Sequence, residues 1–578
     1  MEDQGGNWTR RKFLHMVGMA GGSAAVYDTM VALGLLRTPE AYAGPPQLPA
    51  GVGTGKSVVI LGAGVGGLAA AYQLRKANYD VRVLEAQDRT GGRSYTVRRG
   101  NVIHQEGFKD QTCRFDEGLY FNAGPGRIPY HHQAMLSYCR DLKVDLEVYI
   151  METRANLFQT PQAFKGKPVR NRQLANDTRG YIAELLAKAV HQNALDDGLS
   201  GDDKEKLLSL LTEFGKLKPG YQYQGSARSG FWIEPGVKEP GTLVPPLPLQ
   251  SLLDSEFWKH RFYQPEDYEW QTTLFQPVGG MDHFAHALAR QVEDRITLNA
   301  EVIQIFNSRD GKEDVRVVYR DRSTGRQHEV KANYCISNIP MWLVYPMIQN
   351  DTFRQDYKDA LAVGAKLAAN TCKVGWQANE RFWESRDCHV YDPNGKDFER
   401  AQICATYGGI SWINHDITQM WYPSSGFFQQ KGILTGAYNY GKIAEEFGKK
   451  DLDERRRIAR EGAERLYRDF TKYVDVNLGL SIAWQLVPFQ RGGWASWSWD
   501  PSTPQPWAYN RLLEPDKRFQ ICGDQVSYLP GWQEGAVLSA HHVVEQVAGI
   551  KRKVPAVALE TAAPQLRRSA AEITGEQE

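Results

Sequence analysis

The first clear hydrophobic pattern along the chain is a short apolar, β-branched run at residues 57–61, which is typical of a buried parallel strand. A glycine-rich turn at residues 62–67 follows without a gap. Residues 68–77 then carry the periodicity of a helix, and residues 79–84 form a second apolar run that ends on Glu85. This order predicts the strand, helix, strand unit of a doubly wound α/β sheet.

The glycines of this turn have separate physical tasks. Gly62 suits the tight turn, Gly64 lets a pyrophosphate approach the backbone, and Gly67 lets the helix lie against the strand. Gly66 completes the set and is expected to contact the same ligand. Glu85 is placed to accept hydrogen bonds from ribose hydroxyls. Because the N-terminus of the helix faces the phosphates, the unit predicts a dinucleotide site.

The middle of the chain has a helical pattern. Residues 178–217 predict two helices, with capping residues at 200–203 before the second, and we place a helical domain at residues 166–261. Residues 453–473 predict a further amphipathic helix. Residues 553–578 are rich in Pro, Ala and Glu and predict a disordered tail.

Composition narrows the class of protein. A length of 578 residues suggests several folding units, since domains average about 150 residues. The formal net charge of +1 excludes nucleic-acid binding that depends on counterion release. The seven cysteines are scattered, with no CxxC pair and no His/Cys spacing for zinc. We therefore expect no metal site and mostly buried thiols.

Residues 1–45 resemble a twin-arginine export signal. Arg10-Arg11 precede a weakly apolar, Gly/Ala-rich stretch at residues 16–36, and Ala41-Tyr42-Ala43 offers a cleavage site between small residues. Asp28 interrupts the apolar stretch, so we expect no stable membrane insertion. The segment predicts a periplasmic or secreted protein, or a cytoplasmic one if the signal is not used.

The stretch after the second strand indicates which dinucleotide is bound. Glu85-Ala86-Gln87-Asp88-Arg89-Thr90-Gly91-Gly92-Arg93 resembles the E-A-x-x-R-x-G-G-R stretch with which the flavin-containing amine oxidase superfamily wraps the FAD diphosphate. Residues 275–282, 298–302, 521–524 and 531–536 resemble further marks of that superfamily. The resemblance implies FAD contacts from Ala86, Arg89, Gly92, Arg93, Gly124, Pro125, Gly126, Arg127, Val302, Gly523, Asp524, Gly531, Trp532 and Ala536.

The same resemblance, which covers residues 57–549 in short patches, implies a domain plan. A discontinuous, doubly wound, Rossmann-like FAD-binding domain would lie beside a mixed-sheet α+β substrate-binding domain and the helical insertion. The FAD-binding domain would comprise residues 56–96, 277–345 and 515–549, and the substrate-binding domain residues 97–165, 262–276 and 346–514. Residues 491–496 carry no cysteine where monoamine oxidases tether their flavin, so we expect non-covalent FAD. We also expect a homodimer.

Within the superfamily the chain most resembles bacterial L-amino-acid oxidases. Residues 121–129 resemble their G-P-x-R-[LI]-P stretch, whose arginine binds the substrate carboxylate, and Arg127 stands at that position. Lys373 stands nine residues before Phe382-Trp383-Glu384, which is the spacing of the lysine that holds a water near flavin N5 in those enzymes. Lys366 is a competitor for this role.

The other implied substrate ligands come from two later stretches. Tyr438 stands where the family has its second carboxylate ligand. Gly531 and Trp532 match a pair whose carbonyl accepts from the substrate amine and whose indole walls the pocket. The implied reaction moves hydride from Cα to flavin N5. The imino acid then hydrolyses to a 2-oxo acid and ammonia, and O2 is reduced to hydrogen peroxide.

The side chain of the substrate is the open question. Tryptophans flank the implied site and favour broad acceptance of bulky side chains: Trp270, Trp484, Trp494 and Trp532. Asp267, Glu269 and Glu534 would instead suit arginine or lysine. A monoamine or polyamine oxidase, a tryptophan-monooxygenase-like enzyme and a non-enzymatic FAD protein remain alternatives. No general base is assigned among His131, His132, His283 and His286.

Overall fold

The computed structural model describes residues 44–192, 199–349, 351–384, 389–393 and 405–550. The expected signal up to residue 43 and the expected tail at residues 553–578 lie outside the described residues, as do Cys388 and Cys404. The five cysteines that are described are buried free thiols, as predicted for most of the seven. Within the described part of the chain, no helix combines the length and apolarity needed to span a membrane.

The first sheet confirms the predicted strand, helix, strand unit. Ser57–Leu61 pairs in parallel with Asp80–Leu84, and helix Val65–Lys76 connects them. The helix begins at Val65 rather than at residue 68, and its first turn packs closely on its surroundings, Gly66 against Asn338 and Gly67 against the Gly62 carbonyl. All five strands are parallel, in the spatial order Ile296–Thr297, Asp80–Leu84, Ser57–Leu61, Tyr334–Ser337 and Phe519–Ile521.

The second sheet has seven strands and is mixed. Its pairs are antiparallel except where Ile410–Ile413 lies parallel to Leu157–Gln159. The spatial order is Val169–Arg170, Leu157–Gln159, Ile410–Ile413, Gln419–Trp421, Gly432–Tyr440, Thr371–Ala378 and Leu480–Ala483. Strand Thr371–Ala378 is almost wholly buried, so the side chains on both of its faces meet protein rather than solvent.

Smaller antiparallel groups complete the strands. One three-stranded group is formed by Ala300–Phe306, Val315–Asp321 and Gln327–Ala332, and another by Ile128–Pro129, Leu274–Pro277 and Leu146–Tyr149. Two-stranded pairs join Thr96–Arg98 to Tyr120–Asn122, Val102–Ile103 to Gln111–Thr112, and Phe231–Ile233 to Thr242–Leu243. The strand expected at residues 298–302 begins at Ala300, because Asn299 turns the chain with φ +56°.

The α-helices of the described residues are Val65–Lys76, Gln133–Asp141, Asn171–His191, Gly201–Gly215, Leu249–Asp254, Asp282–Arg290, Met341–Val344, Gln355–Gly364, Gly441–Lys449, Leu452–Leu466, Phe470–Tyr473, Gln505–Leu513 and Gln533–Val547. The predicted cap is present, since Ser200 and Asp203 form a capping box. The helix expected at residues 453–473 is two helices. Tyr467 leaves the helical conformation between them, and its buried hydroxyl donates to Tyr422.

An apolar core covers one face of the first sheet, where Val59 and Leu61 pack with helices Gln355–Gly364 and Gln505–Leu513. Helices Val65–Lys76 and Gln533–Val547 pack against each other. These contacts are those of an α/β dinucleotide-binding architecture. The division of the chain into three domains stays a prediction.

Candidate active site

A cavity of about 450 Å³ lies where the chain leaves the strands of the first sheet. Gly62, Glu85 and Asn338 each follow the carboxyl end of one strand and line this cavity. Ligands of open α/β sheets bind at such an edge. Most of the expected cofactor residues are in its wall: Gly62, Gly64, Gly66, Glu85, Ala86, Gly92, Arg93, Gly124, Pro125, Val302, Asp524, Gly531, Trp532 and Ala536.

The glycine turn keeps one end of the cavity free of side chains. Gly62 has φ +94°, which suits glycine, and a Cβ on Gly64 would lie 2.7 Å from Nδ2 of Asn338. Helix Val65–Lys76 begins at this turn with no acidic residue in its first turn. Its first amide groups therefore offer an anion site. Gly67 lies behind the wall, where a Cβ would come within 2.1 Å of the Gly62 carbonyl, as its packing role requires.

Glu85 is buried in the wall of this cavity. Its carboxylate accepts hydrogen bonds from the backbone amides of Ala63 at 2.7 Å and Gln87 at 2.9 Å. Burial raises the pKa of Glu85, and these two amides oppose the rise. The carboxylate thus ties the glycine turn to the end of the second strand, and its remaining lone pairs are available to a ligand.

Two arginines of the fingerprint have different surroundings. Arg93 lines the cavity and forms a bidentate ion pair with Asp524, whose carboxylate also accepts from the Gly531 amide at 2.8 Å. Arg89 lies behind the wall, stacked 4.0 Å from the ring centroid of Tyr95, and donates to the Gly92 carbonyl at 2.9 Å. Arg89 is not among the residues that line the cavity, and its contact with a cofactor stays a prediction. Gly523 also lies behind the wall, with its Cα close to Gly66.

A smaller cavity of about 60 Å³ adjoins the first, and the two share several lining residues. The shared residues are Pro125, Tyr438, Trp494, Gly531, Trp532 and Gln533. The remaining wall includes the aromatic rings of Trp270, Trp421 and Tyr440, and Arg127 is its fixed cation. The arrangement predicts that a ligand with an anionic group and an apolar body binds in the small cavity, next to whatever fills the large one.

Arg127 is 6% exposed and is enclosed by aromatic rings. Its guanidinium carbon lies 3.7 Å from the ring centroid of Trp270 and 5.0 Å from that of Trp421. Its Nε and one terminal nitrogen are buried without a hydrogen-bond partner in the described residues. A buried, unsatisfied donor is costly, so a guanidinium in this state is prepared to bind a carboxylate. Gly126 allows the close packing, because a Cβ there would lie 2.6 Å from Trp421.

Lys373 projects from the buried strand Thr371–Ala378 and lines the large cavity. Its Nζ donates to the carbonyls of Asn122 at 3.2 Å and Gly124 at 2.5 Å. Burial, with a smaller contribution from the Arg127 charge, lowers the pKa of Lys373 to about 7. Its amine can therefore gain or lose a proton near neutral pH. Lys366, the competitor, is absent from the walls of both cavities.

Tyr438 stands between the two cavities, and its ring centroid is 4.4 Å from Nζ of Lys373. Its hydroxyl is hydrogen-bonded to Tyr440, which lines the small cavity. Gly531, with φ +79°, turns the chain so that Trp532 begins helix Gln533–Val547. The structure thus brings together Arg127, Lys373, Tyr438 and the adjacent pair Gly531 and Trp532, which come from four separate parts of the sequence.

Several wall residues were missed from sequence. Tyr440 was predictable, since it lies two positions after Tyr438 on one strand and therefore on the same face. Trp421 directly precedes Tyr422-Pro423, but nothing local in the sequence indicates its packing on Gly126. His132 was considered and left without a role, yet it lines the small cavity.

The acidic candidates for a basic substrate do not line the cavities. Glu269 binds His131 and His132, and Glu534 accepts from the amides of Ala134 and Met135. Asp267 is exposed. Neither cavity has any of these three carboxylates among its lining residues.

Comparison with known proteins shows which family this chain matches. The family model described as flavin containing amine oxidoreductase matches residues 65–548. YobN of Bacillus subtilis (strain 168) is 22% identical over 508 residues, which are 85% of this chain and 94% of that protein. An L-amino-acid oxidase of Gloydius blomhoffii is 22% identical over 520 residues, which are 85% of this chain and 89% of that protein.

Solved structures share the fold. A putrescine oxidase structure superimposes with a TM-score of 0.53 at 16% identity, covering 86% of this chain and 99% of its own. The cyclohexylamine oxidase of Brevibacterium oxydans IH-35A gives a TM-score of 0.52 at 14% identity, with coverage of 86% and 99%.

Proposed function

Because this chain belongs to the flavin-containing amine oxidoreductase family, we propose that it is an FAD-dependent L-amino-acid oxidase that accepts bulky side chains. The observation that carries the proposal is Arg127, a buried guanidinium with unsatisfied donors in an aromatic cavity beside the dinucleotide site. An enzyme for simple amines gains nothing from such a group, because its substrate has no carboxylate and would be repelled as a cation. L-amino-acid oxidases among the curated relatives agree with this assignment.

The described residues fit FAD. The unobstructed helix start at Gly64 would hold the diphosphate, and Glu85 would accept from the adenosine ribose. Arg93 and Asp524 line the same cavity further along, and Ala536 lies in the first turns of the helix that begins after Trp532. When bound, FAD supplies an acceptor for hydride from Cα and passes the electrons to O2, which yields hydrogen peroxide.

The residues of the small cavity would bind and orient the amino acid. Arg127 would hold the carboxylate through its two unsatisfied nitrogens, with the Tyr438 hydroxyl as a second ligand. The Gly531 carbonyl would accept from the substrate amine, and Trp532 would close the pocket against water. With the carboxylate and the amine held at two points and the side chain confined by the cavity wall, only one enantiomer would direct its Cα hydrogen toward the large cavity.

The small cavity favours apolar substrates. Its described wall includes the rings of Trp270, Trp421 and Trp494. The carboxylates of Glu269 and Glu534 are already hydrogen-bonded, to His132 and to the backbone amide of Met135. Aromatic walls make large contact areas with few polar demands, so discrimination among apolar side chains should be weak. We therefore propose phenylalanine, leucine and similar amino acids rather than arginine or lysine.

A peroxide assay tests the proposal. Purified protein is given each of the twenty L-amino acids and, in parallel, the amine that each would leave on decarboxylation. We expect peroxide with aromatic and long aliphatic L-amino acids, little with the amines, and a 2-oxo acid as product. Turnover of the amines in preference to the amino acids would refute the proposal in favour of a monoamine or polyamine oxidase. An amide product would indicate a monooxygenase-like reaction.

A further inference from the structure

Three side chains beside the substrate cavity have no part in the mechanism so far: His131, His132 and Glu269. The His132 ring forms part of the cavity wall, 1% exposed and perpendicular to Trp532 at 5.1 Å between ring centroids. Glu269 lies behind it on the short helical turn Tyr268–Trp270. His131 completes the group and stacks on Tyr268. The cluster thus begins in the cavity wall with His132, and Glu269 and His131 lie directly behind it.

The hydrogen bonds of the cluster determine the tautomer of each imidazole. One carboxylate oxygen of Glu269 lies 2.8 Å from Nε2 of His131 and 3.2 Å from Nε2 of His132. These two imidazoles lower the pKa of Glu269 to about 2 against the effect of burial, so the carboxylate is ionised and can only accept. Both Nε2 atoms must therefore carry hydrogen. A neutral His132 then has its lone pair on Nδ1.

The proposed reaction needs an acceptor for one proton. A free amino acid enters as an ammonium zwitterion, and the imine can form only from a neutral amine with a nitrogen lone pair. Arg127 cannot accept a proton, and Lys373 lines the large cavity but not the small one, with its Nζ turned toward the carbonyls of Asn122 and Gly124. His132 is the remaining titratable side chain in the described wall of the small cavity that can accept one, since Tyr438 and Tyr440 are phenols.

We propose that His132 accepts the ammonium proton of the bound amino acid before oxidation, while Glu269 holds its tautomer and stabilises the imidazolium. The inference rests on the proposed function. One N–H bond of the substrate breaks and one N–H bond forms at Nδ1 of His132, so the step needs no oxidant or further reactant. His131 is a positioning residue that supplies the second donor to Glu269. The arrangement follows the logic by which a carboxylate orients a catalytic imidazole.

The surrounding charges agree with this role. Burial lowers the pKa of His132, and Glu269 partly opposes the fall, so the imidazole is neutral at and above neutral pH. Arg127 lines the same cavity as His132, and the charge of His131 further lowers the pKa of His132. Glu534 lies next to the cluster, where burial raises its pKa to about 7 while it accepts from the amides of Ala134 and Met135. A protonated His132 is therefore transient and returns its proton after turnover.

Anaerobic stopped-flow reduction of the flavin by L-phenylalanine tests the inference with the variants H132Q and E269Q. The control is H328Q, which replaces an exposed histidine on strand Gln327–Ala332. At about pH 7 we expect H132Q to reduce about 10²-fold more slowly than wild type, which is the usual contribution of a general base. E269Q keeps an acceptor but loses the charge, and we expect a loss of about tenfold. At about pH 10 the amine arrives neutral, so both losses should shrink to less than about threefold.

Other outcomes decide against the inference in distinguishable ways. A loss in H132Q that is equal at both pH values shows a merely structural role and overturns it, as does no loss at all. If H132Q does not fold, E269Q still tests the inference, because a pH-dependent loss in E269Q supports the same proton transfer and a pH-independent loss contradicts it. If no L-amino acid reduces the wild-type flavin at either pH, the proposed function itself fails.

Discussion

Replacing Arg127 with methionine gives a sharp test of the substrate assignment. Methionine keeps the length and much of the volume of the side chain but removes the charge and every donor. If Arg127 binds the substrate carboxylate, R127M should lose activity toward L-phenylalanine while activity toward phenethylamine, which lacks the carboxylate, is unchanged or higher. The comparison of two substrates separates a binding role from general damage.

The expected magnitude follows from the geometry of the site. Two donors of Arg127 have no partner among the described residues, so a bound carboxylate would gain two charge-assisted hydrogen bonds. At roughly 1.5–3 kcal/mol each, their loss amounts to about 3–6 kcal/mol. This corresponds to a decrease of about 10²–10⁴-fold in kcat/KM for the amino acid.

The free energy of unfolding of R127M should change much less than its activity. Removing two buried donors without partners relieves a penalty of about 1–3 kcal/mol each. Removing the cation from its position 3.7 Å over Trp270 loses an attraction of about 2 kcal/mol. Because the relief is at least as large as the loss, the Tm of R127M should not fall below that of wild type, and loss of activity cannot be attributed to unfolding.

The assay is peroxide release under steady-state conditions, with FAD content and Tm measured on the same samples. The matched control is R261M. Arg261 also lies over an aromatic ring, 4.5 Å from the Tyr440 centroid, and has a buried nitrogen without a partner in the described residues, but it is not among the lining residues of either cavity. Its substitution should leave the ratio of amino-acid to amine activity as in wild type. Equal losses of both activities in R127M would refute the role of Arg127 in binding the substrate carboxylate.

Four further outcomes are expected. Acid precipitation should release the flavin into the supernatant; flavin in the pellet would mean a covalent bond. E85A should weaken FAD binding by about 1–3 kcal/mol in a titration of deflavinated protein, because a buried acceptor is lost, whereas D88A, at an exposed position, should not. Since the pKa of Lys373 is lowered to about 7, the unfolded chain holds that proton more tightly, so stability should rise by a few kcal/mol between about pH 7 and 10 in denaturant titrations, and much less in K373M. We also propose that changing Arg10-Arg11 to Lys-Lys retains the protein in the cytoplasm; equal export of the variant would exclude the twin-arginine route.

The dinucleotide side of the site could be predicted because its determinants are local. Strand, glycine turn, helix and Glu85 fall within about thirty residues, and each has a conformational task that few other residues perform. Gly67 shows this well, since its predicted packing against the strand is what its position requires. Arg89 shows the limit: its spacing matches the fingerprint, but stacking on Tyr95 determines where its charge lies, and this depends on the tertiary structure.

The substrate side was only partly predictable. Arg127 and Lys373 could be proposed from recognisable stretches, and the structure brings both to adjoining cavities. The pairing of His132 with Glu269 joins residues that are 137 positions apart and has no local sequence signal. Trp421 likewise meets Gly126, which lies 295 positions earlier in the chain. Such contacts depend on how strands pair, which the hydrophobic pattern alone does not determine.

The sequence order of the first sheet has a consequence for biosynthesis. Its strand Phe519–Ile521 pairs with Tyr334–Ser337, and only the chain beyond it supplies Asp524, Gly531 and Trp532 to the two cavities. A ribosome making this protein from its amino end therefore translates residues 1–518 before it reaches these parts of the cleft. Binding of flavin to the complete cleft has to wait until this later segment has been made. Shortened chains that stop before Phe519 would leave the ribosome without a finished binding cleft.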